Sequence, residues 1–494
     1  MKSGPVVRCL MIIYKAGYYI MERINGKLKE VVIPKDNPFG NDLIGRENCA
    51  EILTQLVDVY AQSGCVLSLN GKWGSGKTTF VKMWKQYLVN KGFKTLYFNA
   101  WEQDYLEDPL MALVSEMREL DKKGRSLKQV VANAGQIAMA AAPALLKTII
   151  KNKFGVDNEA LTEALNKASD IGEEYLKECG KQKAAFERFK ADLQKFVDKE
   201  SGGKPIVFFI DELDRCRPDY AVKVLERIKH LFDVEKIVFV LSINKVQLSN
   251  AVQGFYGTPN VDAADYLRRF IDVEYDLPNP QIENFISYLY EAYSFDSFMN
   301  SPFRIKHNSY EWEVERFKLA SKSIPHNCSI DLRTIERIFL TCRIGIQGYI
   351  TNSYVLLDVF FLLCVLKVLH KDVYNNIEKK NYSIQELVYV MEEILFATYS
   401  PYNKTPHSVT MEWILGEFLF LYNYKDYHVD FDENFVGQET EGTAILTYPF
   451  ETKKFNKKLI DESLTVCYKN MYENYGRPVN EMIDKINLLD SINR

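Results

Sequence analysis

One stretch, Val66 to Thr79 (VLSLNGKWGSGKTT), limits what this chain can fold into more than any other. The apolar Val66, Leu67 and Leu69 end in Gly71; Gly71-x4-Gly76-Lys77-Thr78 follows, and Phe80, Val81, Met83 and Trp84 then resume at helical spacing. A strand that breaks into a glycine loop and restarts as a helix is a phosphate cradle. Glycine lets the main chain turn tightly enough for successive N–H groups to converge on one anion. The helix aims its partly positive N-terminus at the same point. Gly71, Trp73, Gly74, Ser75 and Gly76 are thus expected around the phosphates of a triphosphate, followed by Lys77, Thr78 and Thr79. Lys77 would reach the β- and γ-phosphates, and the Thr78 hydroxyl would ligate Mg²⁺.

A phosphate cradle needs a carboxylate partner, and Pro205 to Ile210 (PIVFFI) supplies its strand. A continuous apolar run of this kind is covered on both faces. It ends in Asp211-Glu212-Leu213-Asp214-Arg215. At the strand tip Asp211 would hold Mg²⁺ through water, and Glu212 would orient or deprotonate the attacking water. Lys94 to Trp101 (KTLYFNAW) reads as a second strand, and Lys236 to Leu241 (KIVFVL) as a further buried one. The latter runs into Ser242-Ile243-Asn244, where Asn244 either reports the γ-phosphate or caps the strand end. Arg268 and Arg269, before a last strand-like IDVEYDLP, are candidates for stabilising charge on the γ-phosphate, from their own subunit or a neighbour, against plain surface salt bridging. The expected fold is therefore α/β: a P-loop NTPase with a mainly parallel central sheet.

Between the two motifs lies a long helical insertion, residues 105–200. Val130 to Ile150 has the length of a membrane span, yet Asn133, Gln136, Pro143 and Lys147 interrupt it; a buried or surface-lying helix is the plainer reading, with membrane contact left open. Glu159 to Glu200 mixes both charge signs with a stripe of Phe186, Phe189, Leu193, Phe196 and Val197, the pattern of a solvated helix packed on its domain. Residues 1–44 read as an N-terminal extension without signal character, 45–280 as the core and 281–375 as a helical, lid-like region. Within that region Tyr354 to His370 reads as a buried helix, too short and too charged to span a membrane. Residues 376–494 have no assigned role.

Formal charge is −4, from 62 Lys+Arg and 66 Asp+Glu, so nothing global points to nucleic acid. The 9 cysteines are scattered without C-x-x-C spacing, which argues against a zinc site and for free thiols in a cytoplasmic protein.

Taken together, GKWGSGKTTF, FNAWEQDYLEDPL, FFIDELDRC, FVLSINKVQL, YLRRFIDVEYDLP and IDLRTIERI resemble the KAP family of P-loop NTPases over roughly residues 45 to 375. The resemblance implies a P-loop domain with an additional strand and a Walker B glutamate, a helical C-terminal part, and Mg-ATP or another nucleoside triphosphate as ligand. It places Lys77 and Thr78 on Walker A, Asp211 and Glu212 on Walker B, Asn244 near a sensor position and Arg333 as a second sensor. By family analogy it also implies anti-phage defence, with a homo-oligomer and a protein partner in a defence operon as companions. The function expected is an ATPase working as a nucleotide-driven conformational switch. Its rivals are a nucleotide-dependent scaffold with little hydrolysis and, less favoured, a DNA-directed motor.

Overall fold

The computed structural model describes residues 28, 30–106, 108–121, 127–140, 183–231, 234–258, 261–299, 310–327, 330–347, 349, 355–395, 411–423, 436–440, 443–447, 449–471 and 479–492. The chain divides into two compact units, Val31–Pro280 and one built mainly from Gln281–Arg494.

The first unit opens with α1 (Glu47–Val59), β1 (Cys65–Asn70), α2 (Lys77–Asn90), β2 (Lys94–Asn99), α3 (Pro109–Glu116) and α4 (Lys128–Ala140). After α5 (183–200) come β3 (Ile206–Asp211), α6 (Pro218–Leu231), β4 (Ile237–Ile243), α7 (Lys245–Tyr256), α8 (Ala263–Arg268) and β5 (Val273–Asp276). The strands form one sheet in the order β2-β3-β4-β1-β5, and every pairing is parallel. Each residue of β3 and β4 is buried. That follows from their composition, because an uninterrupted Ile/Val/Phe run survives only with helices on both faces.

Alternation along the strands assigns the faces. Leu67, Leu69, Val207, Phe209, Val238 and Val240 join the core beneath α1 and α2, where Trp84 meets Phe209 edge-on at 5.2 Å. Leu96, Phe98, Ile206, Phe208, Ile210, Phe239 and Leu241 join the other core, with α3, α4, α5 and α6. Phe189, Leu193, Phe196 and Val197 of α5 are buried there and Phe186 packs against them, as the apolar stripe predicts. Asp108 caps α3 by accepting from the Leu110 N–H at 2.8 Å, with Pro109 preset for the first turn.

Register decides what stands at the sheet's carboxyl edge. Asn99 lies level with Asp211, Asp211 with Ser242, and Asn70 with Ile243. The second strand ends at Asn99, earlier than the run to Trp101 suggests. The Asn99 side-chain oxygen accepts from the N–H groups of Trp101 and Glu102 at 3.1 and 3.4 Å and turns the chain into a short 3₁₀ segment.

Of the insertion, residues 141–182 lie outside the described ones, and with them most of the Val130–Ile150 candidate and the first part of Glu159–Glu200. Among the described residues no helix is long and apolar enough to cross a membrane.

The second unit is helical. It comprises α9 (Ile282–Ala292), α10 (Phe295–Met299), α11 (Tyr310–Asn327), α12 (Leu332–Gln347), α13 (Leu357–Leu369), α14 (Lys371–Glu378), α15 (Ile384–Leu395), α16 (Met411–Asn423), the hairpin β6 (Val436–Thr440) and β7 (Thr443–Thr447), α17 (Lys457–Met471) and α18 (Val479–Ile492). Leu357 to Leu366 of α13 are all buried, so this most apolar stretch is the core helix its short length predicts. Inside it, the Arg316 guanidinium pairs with both Asp358 and Glu417. One Glu392 oxygen accepts from the N–H groups of Lys453, Lys454 and Phe455 at 2.9, 3.0 and 3.2 Å.

Candidate functional site

The glycine loop leaves β1 at Asn70, which is anchored twice. Its side chain donates to Asp276 at 2.7 Å and accepts from the Lys245 N–H at 2.9 Å, while the Gly71 N–H reaches the Ile243 carbonyl at 3.1 Å. A Cβ on Gly71 would stand 3.1 Å from Ser75 Oγ and 3.2 Å from Lys77 Cγ, so only glycine leaves the lysine stem its path. Gly74 and Gly76 turn the loop with φ of 74° and 84°, in the left-handed region that glycine enters freely.

Helix α2 has Gly76 at its N-cap and no side-chain acceptor there. Its first-turn donors therefore face the loop's interior with the dipole's positive end behind them. Ser75 Oγ is buried without a partner among the described residues. An orphan hydroxyl, an uncapped helix start and a loop that excludes side chains fit a phosphate group. Thr78 and Thr79 are half-buried in the same turn.

Lys77 is 9% exposed, and its Nζ donates to the carbonyls of Gly71 and Lys72 at 2.5 and 3.1 Å. Burial pushes its pKa down, opposed by the Asp214 and Asp211 carboxylates. Asp211, 1% exposed, accepts from the Tyr97 hydroxyl and the Glu212 N–H, both at 3.0 Å. The Tyr97 hydroxyl is held well above its ordinary pKa by burial and then by that carboxylate.

Glu212 is left-handed at φ 60°, a backbone a non-glycine residue adopts at a cost of about 1–3 kcal/mol and mostly at functional sites. Its carboxylate pairs with Arg215 at 2.8 Å and accepts from Asn99 at 3.4 Å. The Arg215 guanidinium lies 5.3 Å from the centre of the Trp101 ring, a cation–π contact that fixes the clamp. Asp214 is buried and accepts from the Trp73 indole at 2.5 Å, although Trp73 itself is 45% exposed. Burial raises the Asp214 pKa, while the Trp73 bond, Lys77 and the backbone of Asn244 oppose the rise. Asn244 caps α7, its side-chain oxygen accepting from the Gln247 N–H at 3.3 Å.

Lys77, Asp211, Glu212, Asn244 and Trp73 thus gather at one edge of the sheet. Arg268 and Arg269 do not join them. They end α8 with side chains 68% and 67% exposed, against Asp265 at 3.8 and 3.7 Å. Asp272, just beyond, donates to the Val66 carbonyl at the start of β1. At a rise of about 3.3 Å per residue the step from Val66 to Gly71 is roughly 16 Å, so these arginines do not reach their own loop. Arg333 is exposed at the start of α12, in the second unit. Asn99, Tyr97, Asp214 and Arg215 stand inside motifs read for other residues. Their signal is a place at or near the ends of β2 and β3, visible only once the strand ends are known.

No curated protein matches the chain. Solved structures similar to it include two nucleotide complexes. One is the ORC2 protein of Aeropyrum pernix in ADPNP–ADP complexes, 13% identical with a TM-score of 0.32 over 70% of this chain and 73% of that one. The other is AMPPCP-bound DnaA from Aquifex aeolicus, 11% identical with a TM-score of 0.25 over 72% and 95% of the two chains. Likeness at such scores decides nothing here. The KAP family P-loop domain, by contrast, matches residues 46–347, more than half of the 494 and the whole of the site just described. With the loop, the carboxylates and the intervening strand in place, the chain belongs to the KAP family of P-loop NTPases.

Proposed function

We propose that the chain is a Mg²⁺-dependent ATPase in which hydrolysis drives a conformational change of the helical second unit. The convergence of Lys77, Asp211 and Glu212 at one sheet edge carries this reading. Bound there, the metal ion would neutralise charge on the terminal phosphate.

Thr78 and Asp211 would hold the metal, and Lys77 would exchange the carbonyls of Gly71 and Lys72 for β- and γ-phosphate oxygens. Glu212 would orient the attacking water and take its proton, which requires release from Arg215 and Asn99. Asn244 would sense the γ-phosphate from the start of α7. Arg268 or Arg269 would act on a neighbouring copy, because their own loop is out of reach. Arg333 would report nucleotide state to the helical unit.

The clamped Glu212 favours a second reading. On that reading the Arg215 ion pair keeps Glu212 from activating water, and the protein binds nucleotide with little turnover, as a nucleotide-dependent scaffold would.

Phosphate release by the wild type beside Lys77→Ala and Glu212→Gln separates the two, with size-exclusion run with and without nucleotide. Loss of turnover in both variants supports the ATPase. Background phosphate release with Lys77-dependent binding and a nucleotide-dependent size supports the scaffold. Phage defence rests on the family resemblance; plating efficiency on cells carrying wild type or Lys77→Ala tests it, and equal plating removes it.

A further inference from the structure

Arg46 precedes α1 and is 2% exposed, among the largest fully buried side chains of the protein. Its Nη2 donates to the Pro278 carbonyl at 3.0 Å. Nε and Nη1 are out of solvent and have no partner among the described residues. A charged donor left unmade in the interior is costly, so these two nitrogens call for an acceptor.

Its position says what that is. The Leu277 N–H donates to the Asn70 carbonyl at 2.9 Å, which sets the following Pro278 beside Gly71. The guanidinium therefore stands at the first glycine of the loop, on the β5 side. Asp211 and Glu212 stand on the other side, at the tip of β3, with β4 between it and β1. Lys77 and those carboxylates mark where the terminal phosphate goes. The rest of the nucleotide leads away from them, and β5 is the remaining neighbour of β1. Arg46 is also close enough to Lys77 for its charge to help push the lysine's pKa down, after burial, the larger cause. The carboxylate of Asp42 and the groups of Cys49 and Tyr275 face Arg46 from the preceding loop, α1 and β5.

We infer that Arg46 is a nucleotide-binding residue, donating through Nε and Nη1 to acceptors in the non-terminal half of the nucleotide, an α-phosphoryl oxygen or an atom of the nucleoside. The inference rests on the nucleotide reading given above.

The test is equilibrium binding of ATP, ADP and tripolyphosphate to full-length wild type, Arg46→Met and Lys77→Ala, with apo thermal unfolding alongside. Methionine keeps the apolar stem and drops the donors. Arg46→Met is expected to weaken ATP and ADP by about tenfold or more, as for lost bonds to a charged donor. Its apo melting temperature should hold or rise, because an unsatisfied buried charge is gone. Tripolyphosphate weakened in parallel identifies the acceptor as a phosphoryl oxygen; tripolyphosphate unchanged identifies it as the nucleoside. Unchanged affinity for every ligand overturns the inference whatever the apo melting temperature, while the nucleotide reading stands; a lower melting temperature beside it makes Arg46 structural. A wild type that binds none of the three overturns both. Should Arg46→Met not fold, a wild-type structure with a non-hydrolysable analogue decides: Nε or Nη1 in hydrogen-bond contact with the nucleotide supports the inference, and a guanidinium held by Pro278 alone overturns it.

Discussion

Both units of this protein bury charge, and they do so in opposite ways. In the second unit the Arg316 guanidinium lies between Asp358 and Glu417, and Trp413 donates to the outer oxygen of Glu417 at 3.1 Å. Glu392 is closed off by three backbone donors. In the first unit Lys77 rests on its own loop's carbonyls, while Ser75 Oγ and two nitrogens of Arg46 have no partner among the described residues. Groups satisfied by one another build architecture; buried groups without a partner beside the glycine loop, at the tips of parallel strands, are placed to meet a ligand. Buried atoms without a partner among the described residues also occur at Glu412 Oε2 in the second unit and at Ser68 and Tyr220 in the first, so it is their position at the loop that sets Ser75 and Arg46 apart.

The sharpest way to break that contrast is Glu212→Gln. Removal of the base should lower turnover by about 10²–10⁴-fold and leave nucleotide affinity near wild type. Parallel measurement of phosphate release and binding checks it, and a fully active variant would sink the assignment. Next comes Arg316→Ala, which strands two buried carboxylates and should cost about 3–5 kcal/mol in denaturant unfolding without changing ATP affinity. Replacing Arg316, Asp358 and Glu417 together by Met, Leu and Leu should recover much of that loss, since a packed apolar trio substitutes for a closed ionic one.

Arg215→Ala has a smaller effect of opposite sign. Freed from a partly exposed ion pair, Glu212 should raise basal turnover roughly two- to fivefold; a fall instead would make Arg215 a support rather than a brake. The least effect belongs to Asp214→Asn. Burial holds the Asp214 pKa above its ordinary value, so the stability this group contributes is fully present below about pH 4 and is lost as pH rises through the raised folded value. The asparagine variant should show a flatter dependence of melting temperature on pH over that interval, and an unchanged slope would place the titration elsewhere.

Local pattern carried much of this protein. The strand–glycine–helix order of Val66 to Thr79, the apolar runs into Asp211 and Ile243, and the short apolar helix at Leu357 are all written in contiguous residues. Steric freedom at glycine and burial on both faces of a strand act over a few positions, so sequence alone determines them. The tertiary structure decided the rest. Only the placing of β4 between β1 and β3 sets Asp211 near Lys77, and only the parallel register sends Arg268 and Arg269 to the far end from the loop. Arg316 meets Asp358 and Glu417 across 42 and 101 positions. Arginine is mostly exposed in folded proteins, and no local pattern marks Arg46 as an exception. Its burial and its two open nitrogens arise where the preceding loop and the end of β5 close over it, contacts between segments 232 positions apart that no local pattern encodes.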